Sequence, residues 1–121
     1  MAKKILIVDD ASLIRHITKK ALEEAGFEAV LANNGQEGLD ALEKHDIDFI
    51  FSDINMPIMS GLEMLAKIRE QDKYRFLPIV MLTTETKKEL QAQAKELGVK
   101  AWLVKPFNKD KFLLVLSKLL G

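Results

Sequence analysis

Five short apolar runs alternate with longer segments in which apolar residues recur at helical spacing. The first run, Ile5 to Val8, is followed directly by Asp9 and Asp10. A continuous apolar run of this length is typical of a strand buried on both faces, as in the parallel sheet of an α/β protein. Four more strands are expected at residues 27–31, 47–52, 79–82 and 100–104.

The segments between these runs begin and end with residues typical of helix ends. We expect Ser12 and Asn34 to cap helices one and two, Ser60 to open helix three with Gly61, and Thr84 to cap helix four. Glycines should end two of the helices, at positions 26 and 98, and a fifth helix should run from about 108 to 120. In helix one the spacing predicts an inward face made of Leu13, Ile14, Ile17, Ala21 and Leu22.

Strands that alternate with helices run parallel, because each helix carries the chain back across the sheet in a right-handed crossover. The sequence therefore predicts a doubly wound five-stranded sheet of the flavodoxin-like type, with order 2-1-3-4-5 and five helices. In that order the carboxyl ends of strands one and three are neighbours. Asp9, Asp10 and Asp53 should meet there, with Thr83 and Lys105 at the ends of the next two strands.

Composition narrows the class of protein. The 121 residues are 48% hydrophobic, which suits a single domain spanning 1–121. Eighteen basic and eighteen acidic residues balance, which disfavours nucleic acid and anionic membranes as partners. The absence of cysteine excludes disulfides and thiolate metal sites, and the N-terminal apolar run is too short for a signal peptide. A soluble, cytoplasmic protein is expected.

Three carboxylates in one crevice need compensating charge. Two unit charges about 4 Å apart repel by roughly 4 kcal/mol at an effective dielectric constant near 20. Lys105 supplies one positive charge. Hard oxygen donors without a nearby histidine or sulfur favour Mg²⁺, so we predict a magnesium site at Asp9, Asp10 and Asp53.

A carboxylate beside Mg²⁺, a lysine and a hydroxyl is also an arrangement that can receive a phosphoryl group. Asp53 is the best candidate nucleophile because it stands alone at the end of the central strand. Lys105 would neutralise charge on the phosphoryl oxygens, and the hydroxyl of Thr83 would donate a hydrogen bond to one of them. The predicted product is an aspartyl phosphate.

Four short motifs now give a resemblance to a known family. They are IVDD (7–10), SDINMPIMSG (52–61), LTTE (82–85) and VKPF (104–107). In this order and at these spacings, the chain resembles a response-regulator receiver domain of the stand-alone chemotaxis type, over essentially its whole length. The resemblance implies that Asp53 accepts phosphate from a histidine kinase. It also implies that Asp10, Asp53 and the carbonyl of Asn55 bind Mg²⁺ directly, with Asp9 acting through water.

The resemblance further implies a switch. Thr83 would move inward on phosphorylation, and the aromatic residue three positions before Lys105 would follow it. That residue is Trp102, where many relatives carry tyrosine or phenylalanine. A cis bond is implied between Lys105 and Pro106.

The resemblance also implies roles for residues at the margin of the site and for an output surface. Asn55 and Glu85 stand where the family tunes hydrolysis of the phosphoryl group. Helix four, strand five and helix five would form the output face for a protein partner such as a flagellar switch protein or a histidine phosphotransfer protein. A kinase that takes the phosphate back is a third possibility.

Several alternatives stay open. A Mg²⁺-dependent phosphohydrolase would use the same nucleophile but usually needs an acid two residues later, where this chain has Asn55. A flavin-binding carrier is disfavoured, because Asp9 and Asp10 would repel the phosphate of the flavin.

His16 and His45 are expected to be surface residues. Surplus apolar residues on helix five predict either a monomer with some exposed leucines or a phosphorylation-dependent dimer.

Overall fold

The computed structural model describes residues 2–120. Five parallel strands form one sheet in the order β2-β1-β3-β4-β5, which confirms the predicted doubly wound α/β fold. The strands are β1 (Lys4–Val8), β2 (Glu28–Ala32), β3 (Phe49–Ser52), β4 (Ile79–Thr83) and β5 (Ala101–Val104). The α-helices are α1 (Ser12–Glu24), α2 (Gly35–Lys44), α3 (Gly61–Arg69), α4 (Lys88–Glu96) and α5 (Lys109–Leu120).

Strand bounds differ from the predicted ones by one or two residues, most at β3. Ile47 was expected in this strand and is buried, yet its N–H donates to the carbonyl of His45, so it precedes the ladder. An apolar run indicates which residues are buried, and buried residues extend beyond the hydrogen-bonded part of the strand. A short 3₁₀ turn, Asp72–Tyr74, also lies between α3 and β4, where the sequence analysis predicts no element.

Two of the four expected N-caps are confirmed. The side chain of Asn34 accepts a hydrogen bond from the N–H of Glu37 at 2.9 Å. Ser60 and Glu63 form a reciprocal capping box, in which each side chain accepts from the other residue's backbone N–H. These caps fix the starts of α2 and α3, and therefore the loop that follows Asp53.

The other two expected caps are wrong. Ser12 is already the first helical residue, and the N-cap position belongs to Ala11, whose N–H is taken by the carboxylate of Asp9. Helix α4 begins after Lys87 rather than near Thr84. At the second position, the carboxylate of Glu85 accepts from the N–H groups of Thr86 and Lys87, which a Thr84 hydroxyl was expected to satisfy.

The predicted inward face of α1 is confirmed at Ala21 and Leu22 but is wrong at Leu13 and Ile17. Leu13 is 68% exposed and Ile17 is 50% exposed. The buried residues are Thr18, Ala21 and Leu22, and the hydroxyl of Thr18 donates to the carbonyl of Ile14 at 2.7 Å. Because a threonine can satisfy its hydroxyl within its own helix, it fills a core position that the apolar pattern assigned elsewhere.

The sheet separates two apolar layers. Leu6, Val8 and Ile50 face the layer that includes buried residues of α2, α3 and α4. Ile5, Ile7 and the two phenylalanines of β3 face the layer of α1 and α5. Since Ile5, Leu6, Ile7 and Val8 are all fully buried, β1 is held on both sides and its carboxyl end is a rigid platform for the residues that follow.

Two expectations about surfaces can be compared with this fold. Leu114 of α5 is 53% exposed, as the surplus of apolar residues on that helix predicted, and both histidines lie on the surface. None of the helices within residues 2–120 has the length and apolar character needed to cross a bilayer.

Candidate functional site

The carboxyl ends of β1 and β3 bring the predicted acidic residues together. Val8 pairs with Ser52 in the parallel ladder, so the residues that follow them, Asp9 and Asp53, lie side by side. Asp9 and Asp53 are buried, whereas Asp10 is exposed. One carboxylate oxygen from each of Asp9, Asp10 and Asp53 lies within 4.8 Å of the others.

Lys105 joins two of these carboxylates. Its Nζ lies 2.5 Å from Oδ2 of Asp9 and 2.9 Å from Oδ2 of Asp53. β5 is separated from β3 by β4, so the long lysine side chain must extend across the edge of β4 to reach both acids. The Lys105–Pro106 peptide bond is cis.

Burial and charge act in opposite directions on these groups. Burial raises the pKa of Asp9, and the hydrogen bond from Lys105 offsets only part of that rise. Burial lowers the pKa of Lys105, but the hydrogen bonds to Asp9 and Asp53 outweigh it and the pKa is raised. Lys105 is therefore firmly protonated, while a second cation is needed to balance three carboxylates.

Backbone groups fix the orientation of Asp53. The N–H of Ile54 donates to its Oδ1 at 2.7 Å, which leaves Oδ2 to Lys105. Gly61 packs directly against the carbonyl of Asp53, and a Cβ at that position would overlap it. Gly61 also donates its N–H to the carbonyl of Ile54 at 2.8 Å. Gly61 was predicted only as the start of α3, but the glycine is also required for this close approach.

A second network connects the remaining predicted residues around Glu85. The buried hydroxyl of Thr83 accepts from the N–H of Glu85 at 3.1 Å. The side-chain amide of Asn55 donates to the Glu85 carboxylate at 3.3 Å, and the indole N–H of Trp102 donates to the Glu85 carbonyl at 3.2 Å. The hydrogen bond from Asn55, followed by backbone N–H donors, lowers the pKa of Glu85.

This network places Glu85 between the acidic crevice and the predicted output surface. Its carboxylate also accepts from the N–H groups of Thr86 and Lys87, which precede α4. One residue therefore touches the loop after Asp53, the end of β4 and the indole on β5. Glu85 was predicted to tune hydrolysis of the phosphoryl group, whereas these contacts were not predicted from the sequence.

The acidic group suits Mg²⁺. Magnesium binds oxygen at 2.0–2.1 Å in octahedral geometry, so two ligands of one ion lie about 2.9 Å apart when adjacent and about 4.2 Å apart when opposite. The carboxylate oxygens lie within 4.8 Å of one another, so movements of their side chains can bring them to these separations. The donors are hard oxygens, as this ion prefers.

Arg15 is a neighbour of the site that the sequence analysis missed. Its Nη1 donates to the backbone carbonyl of Asp9 at 2.6 Å. The partner is a main-chain oxygen, which every residue carries, so no pairing of residue types along the sequence indicates the contact.

Comparison with known proteins agrees with this geometry. Residues 5–117 match the family model described as the response regulator receiver domain. The chain is 43% identical over 106 residues to chemotaxis protein CheY-3 of Vibrio cholerae, which covers 87% of this chain and 82% of that protein. It is 41% identical over 120 residues to the chemotaxis protein CheY homolog of Campylobacter jejuni, which covers 98% of this chain and 92% of that protein.

Solved structures agree as well. The structure of chemotaxis protein CheY4 of Vibrio cholerae aligns with a TM-score of 0.92 at 42% identity, covering 98% of both chains. A CheY-like receiver domain protein of Methanospirillum hungatei aligns with a TM-score of 0.93 at 31% identity, covering 99% of this chain and 94% of that one. The chain belongs to the response regulator receiver domain family and is a CheY-like signalling protein.

Proposed function

We propose that this chain accepts a phosphoryl group on Asp53 from the phosphohistidine of a sensor kinase, in a Mg²⁺-dependent reaction in the cytoplasm. The observation that carries the proposal is the position of Lys105 Nζ between Asp9 and Asp53, with the Asp10 carboxylate close by. A nucleophilic carboxylate, a fixed cation and two further acids that can hold a metal are the parts that phosphoryl transfer to an aspartate requires.

In the proposed reaction, a carboxylate oxygen of Asp53 forms a bond to phosphorus as the phosphorus–nitrogen bond of phosphohistidine breaks. The electron pair of that bond stays on the departing imidazole nitrogen. Bound by Asp10, Asp53 and the carbonyl of Asn55, with Asp9 acting through water, Mg²⁺ would neutralise charge on the phosphoryl oxygens. Lys105 would hold another of these oxygens through its protonated amine.

Thr83 supplies a hydroxyl at the end of the neighbouring strand. Its oxygen accepts from the Glu85 N–H, and its own hydrogen is available for a phosphoryl oxygen. A hydrogen bond to phosphate would draw Thr83 toward Asp53 and strain its contact with Glu85. Because Glu85 also accepts from the indole of Trp102, movement of Thr83 would be transmitted to β5.

Exposed apolar side chains near the acidic residues suit a protein as phosphodonor. Leu13 and Ile17 follow Asp10 on α1, and Ile58, 82% exposed, follows Asp53 in the next loop. A small phosphodonor needs no such surface, whereas a kinase domain or phosphotransfer domain could bury it.

The output surface in this proposal consists of α4, β5 and α5. Only Ala94 of α4 is buried, so this helix is loosely attached and can move at small cost. Lysines 87, 88, 109, 111 and 118 lie on exposed positions along these elements. They favour a downstream protein with acidic side chains, such as a flagellar switch protein or a histidine phosphotransfer protein.

Asn55 and Glu85 would set the lifetime of the phosphoryl group. Their side chains are hydrogen-bonded to each other beside the acidic crevice, where a hydrolytic water would approach. We expect Asn55→Ala and Glu85→Ala to change the rate of phosphate loss by several-fold while labelling of Asp53 persists. Measuring phosphate release from labelled protein tests this, and unchanged rates in both variants would remove the two residues from this role.

The central test is phosphate incorporation from acetyl phosphate. Wild-type protein with Mg²⁺ should gain the mass of one phosphoryl group by intact mass spectrometry, and Asp53→Asn should gain none. Asp46→Asn, which removes an exposed acid at the opposite edge of the sheet, is the matched control and should label normally. Omitting Mg²⁺ should suppress labelling of the wild type. Full labelling of Asp53→Asn would place the nucleophile elsewhere.

A companion measurement follows the proposed switch. Trp102 is the only tryptophan of the chain, so its fluorescence reports one position. Phosphorylation should change the emission, because the indole would lose or alter its hydrogen bond to Glu85. Identical spectra before and after complete labelling would show that Trp102 does not take part in the switch.

A further inference from the structure

Arg15 is a second cation beside the acidic crevice, and among residues 2–120 it forms no ion pair with an acid. The residue is partly buried, and its Nη1 donates to the Asp9 carbonyl at 2.6 Å. The ion pairs formed within residues 2–120 are those of Lys105 with Asp9 and Asp53 and that of Lys109 with Glu24. Arg15 therefore acts on the backbone of the site rather than on a carboxylate.

The carbonyl that Arg15 binds belongs to the peptide joining Asp9 to Asp10. Within the described residues, this is the one hydrogen bond made by that peptide unit. The two residues that this peptide joins are held differently. The N–H of Asp9 donates to Ala32, and its side chain is bound to Ala11 and Lys105. The side chain of Asp10 is exposed and has no hydrogen-bond partner in the part of the chain that the structure describes.

Rotation about the Cα–C bond of Asp9 sets both the direction of this carbonyl and the position of the next residue. A change in that rotation would leave the Asp9 side chain in place but move the Cα of Asp10, and with it the exposed carboxylate, relative to Asp53. Two hydrogen bonds oppose this rotation. The N–H of Ala11 donates to the Asp9 carboxylate at 2.9 Å, and the Arg15 guanidinium holds the carbonyl itself.

We propose that Arg15 is a positioning residue that orients Asp10 for binding of a divalent cation. The inference rests on the proposed function, because it concerns the same metal site. Groups that orient metal ligands typically contribute a factor of about 10–100 to metal affinity. Arg15 would act through the Asp9 carbonyl without touching the ion.

The sign of the mutational effect distinguishes positioning from simple electrostatics. A positive charge near the site repels Mg²⁺, so removing the charge alone should tighten binding. Removing a positioning bond should weaken binding despite the lost repulsion. Arg15→Met removes both the charge and the donors, and the direction of the change in dissociation constant shows which role dominates.

The experiment titrates Mg²⁺ into the unphosphorylated full chain, with Trp102 fluorescence and calorimetry as independent readouts. We expect Arg15→Met to raise the dissociation constant about tenfold. Arg15→Lys, which retains a donor, should recover most of the affinity. Lys20→Met, which removes the same charge from an exposed position on α1, should stay within about twofold of wild type.

A double-mutant cycle separates this role from a general loss of structure. In an Asp10→Asn background, Arg15→Met should cause little further loss, because the oriented carboxylate is already gone. If Arg15→Met proves too unstable to titrate, Arg15→Gln serves the same cycle, with the same weakening expected. Unchanged or tighter binding in the folded variant, or a full additional loss in the Asp10→Asn background, would overturn the inference.

These outcomes are distinct from failure of the proposed function. If wild-type protein binds no Mg²⁺ at millimolar concentrations, the metal site itself is wrong and both ideas fall. If wild type and Lys20→Met bind equally and Arg15→Met binds at least as tightly, only the role of Arg15 is refuted.

Discussion

Lys105 and Arg69 are two partly buried cations that lie at opposite edges of the sheet and are neutralised in opposite ways. Lys105 follows β5 at the carboxyl edge and binds two carboxylates. Arg69 ends α3 at the amino edge and binds four backbone carbonyls, at 2.7–3.3 Å, namely those of Tyr74, Leu77, Leu97 and Gly98. The pKa of each group reflects this difference.

For Lys105, burial lowers the pKa, but the two acids raise it above its ordinary value. For Arg69, burial lowers the pKa and no acid offsets the effect, although a guanidinium remains protonated. Carboxylates that repel one another can exchange one cation for another, whereas carbonyls at the ends of a helix and a loop only need to be satisfied. Lys105 therefore belongs to a site, and Arg69 braces α3 against α4.

The largest expected effect comes from removing the amine of Lys105, which should slow phosphoryl transfer. Lys105→Met should slow incorporation of phosphate from acetyl phosphate by about 10²-fold, because it removes a cation that contacts the developing charge. Lys109→Met is the matched control, since its ion pair with Glu24 is 3.7 Å long and half-exposed. Labelling rates come from intact mass against time. A rate within threefold of wild type would place Lys105 away from the phosphoryl group.

At the opposite edge of the sheet, replacing Arg69 should lower the stability of the fold without affecting phosphoryl transfer. Arg69→Met should lower the free energy of unfolding by about 2–3 kcal/mol, because four carbonyls lose a charged donor. Arg75→Met, which changes an exposed arginine six residues away, should stay within about 0.5 kcal/mol of wild type. Urea denaturation measures both. Asp53 of folded Arg69→Met should still label, and loss of labelling without loss of stability would contradict the assignment of Arg69 as a brace.

The contacts of Lys105 could be predicted from the sequence, whereas those of Arg15 and Arg69 could not. The sheet order and the meeting of Asp9, Asp53 and Lys105 followed from apolar runs that end on charged residues, because strand ends of a parallel sheet share one edge. The contacts of Arg15 and Arg69 did not follow, since their partners are backbone carbonyls. Residue types at a given spacing carry information about side-chain pairs but not about main-chain acceptors.

The wrong predictions about local structure have a similar physical origin. The apolar pattern placed Leu13 and Ile17 in the core, whereas Thr18 occupies the inward position and satisfies its hydroxyl on Ile14. Thr84 was expected as a cap, but the carboxylate of Glu85 binds the N–H groups ahead of α4. In each case a polar side chain found a local partner, and such local alternatives are not visible in hydrophobic periodicity.

The third prediction asks whether the two edges are independent. At a Mg²⁺ concentration ten times its dissociation constant, the free energy of unfolding should rise by ~1.4 kcal/mol, since the ion binds only the folded site. Arg69→Met should show the same increment, because distant sites contribute additively. Asp10→Asn should show a smaller one at that same concentration. Urea denaturation with and without Mg²⁺ measures the increments, and a diminished increment in Arg69→Met would show that the brace and the site are coupled.

The smallest expected effect is the gain in stability when the buried carboxylate of Asp9 is replaced by a neutral amide. Because burial raises the pKa of Asp9, folding favours its protonated form, and the ionised form present at neutral pH is destabilising. Without Mg²⁺, Asp9→Asn should therefore be more stable than wild type by about 1 kcal/mol at pH 7, seen as a melting temperature a few degrees higher. The advantage should shrink as the pH falls through the raised pKa and Asp9 gains its proton. A less stable Asp9→Asn at pH 7 would mean that attraction to Lys105 outweighs burial, so that Asp9, like the carbonyls around Arg69, mainly serves to hold its cation in place.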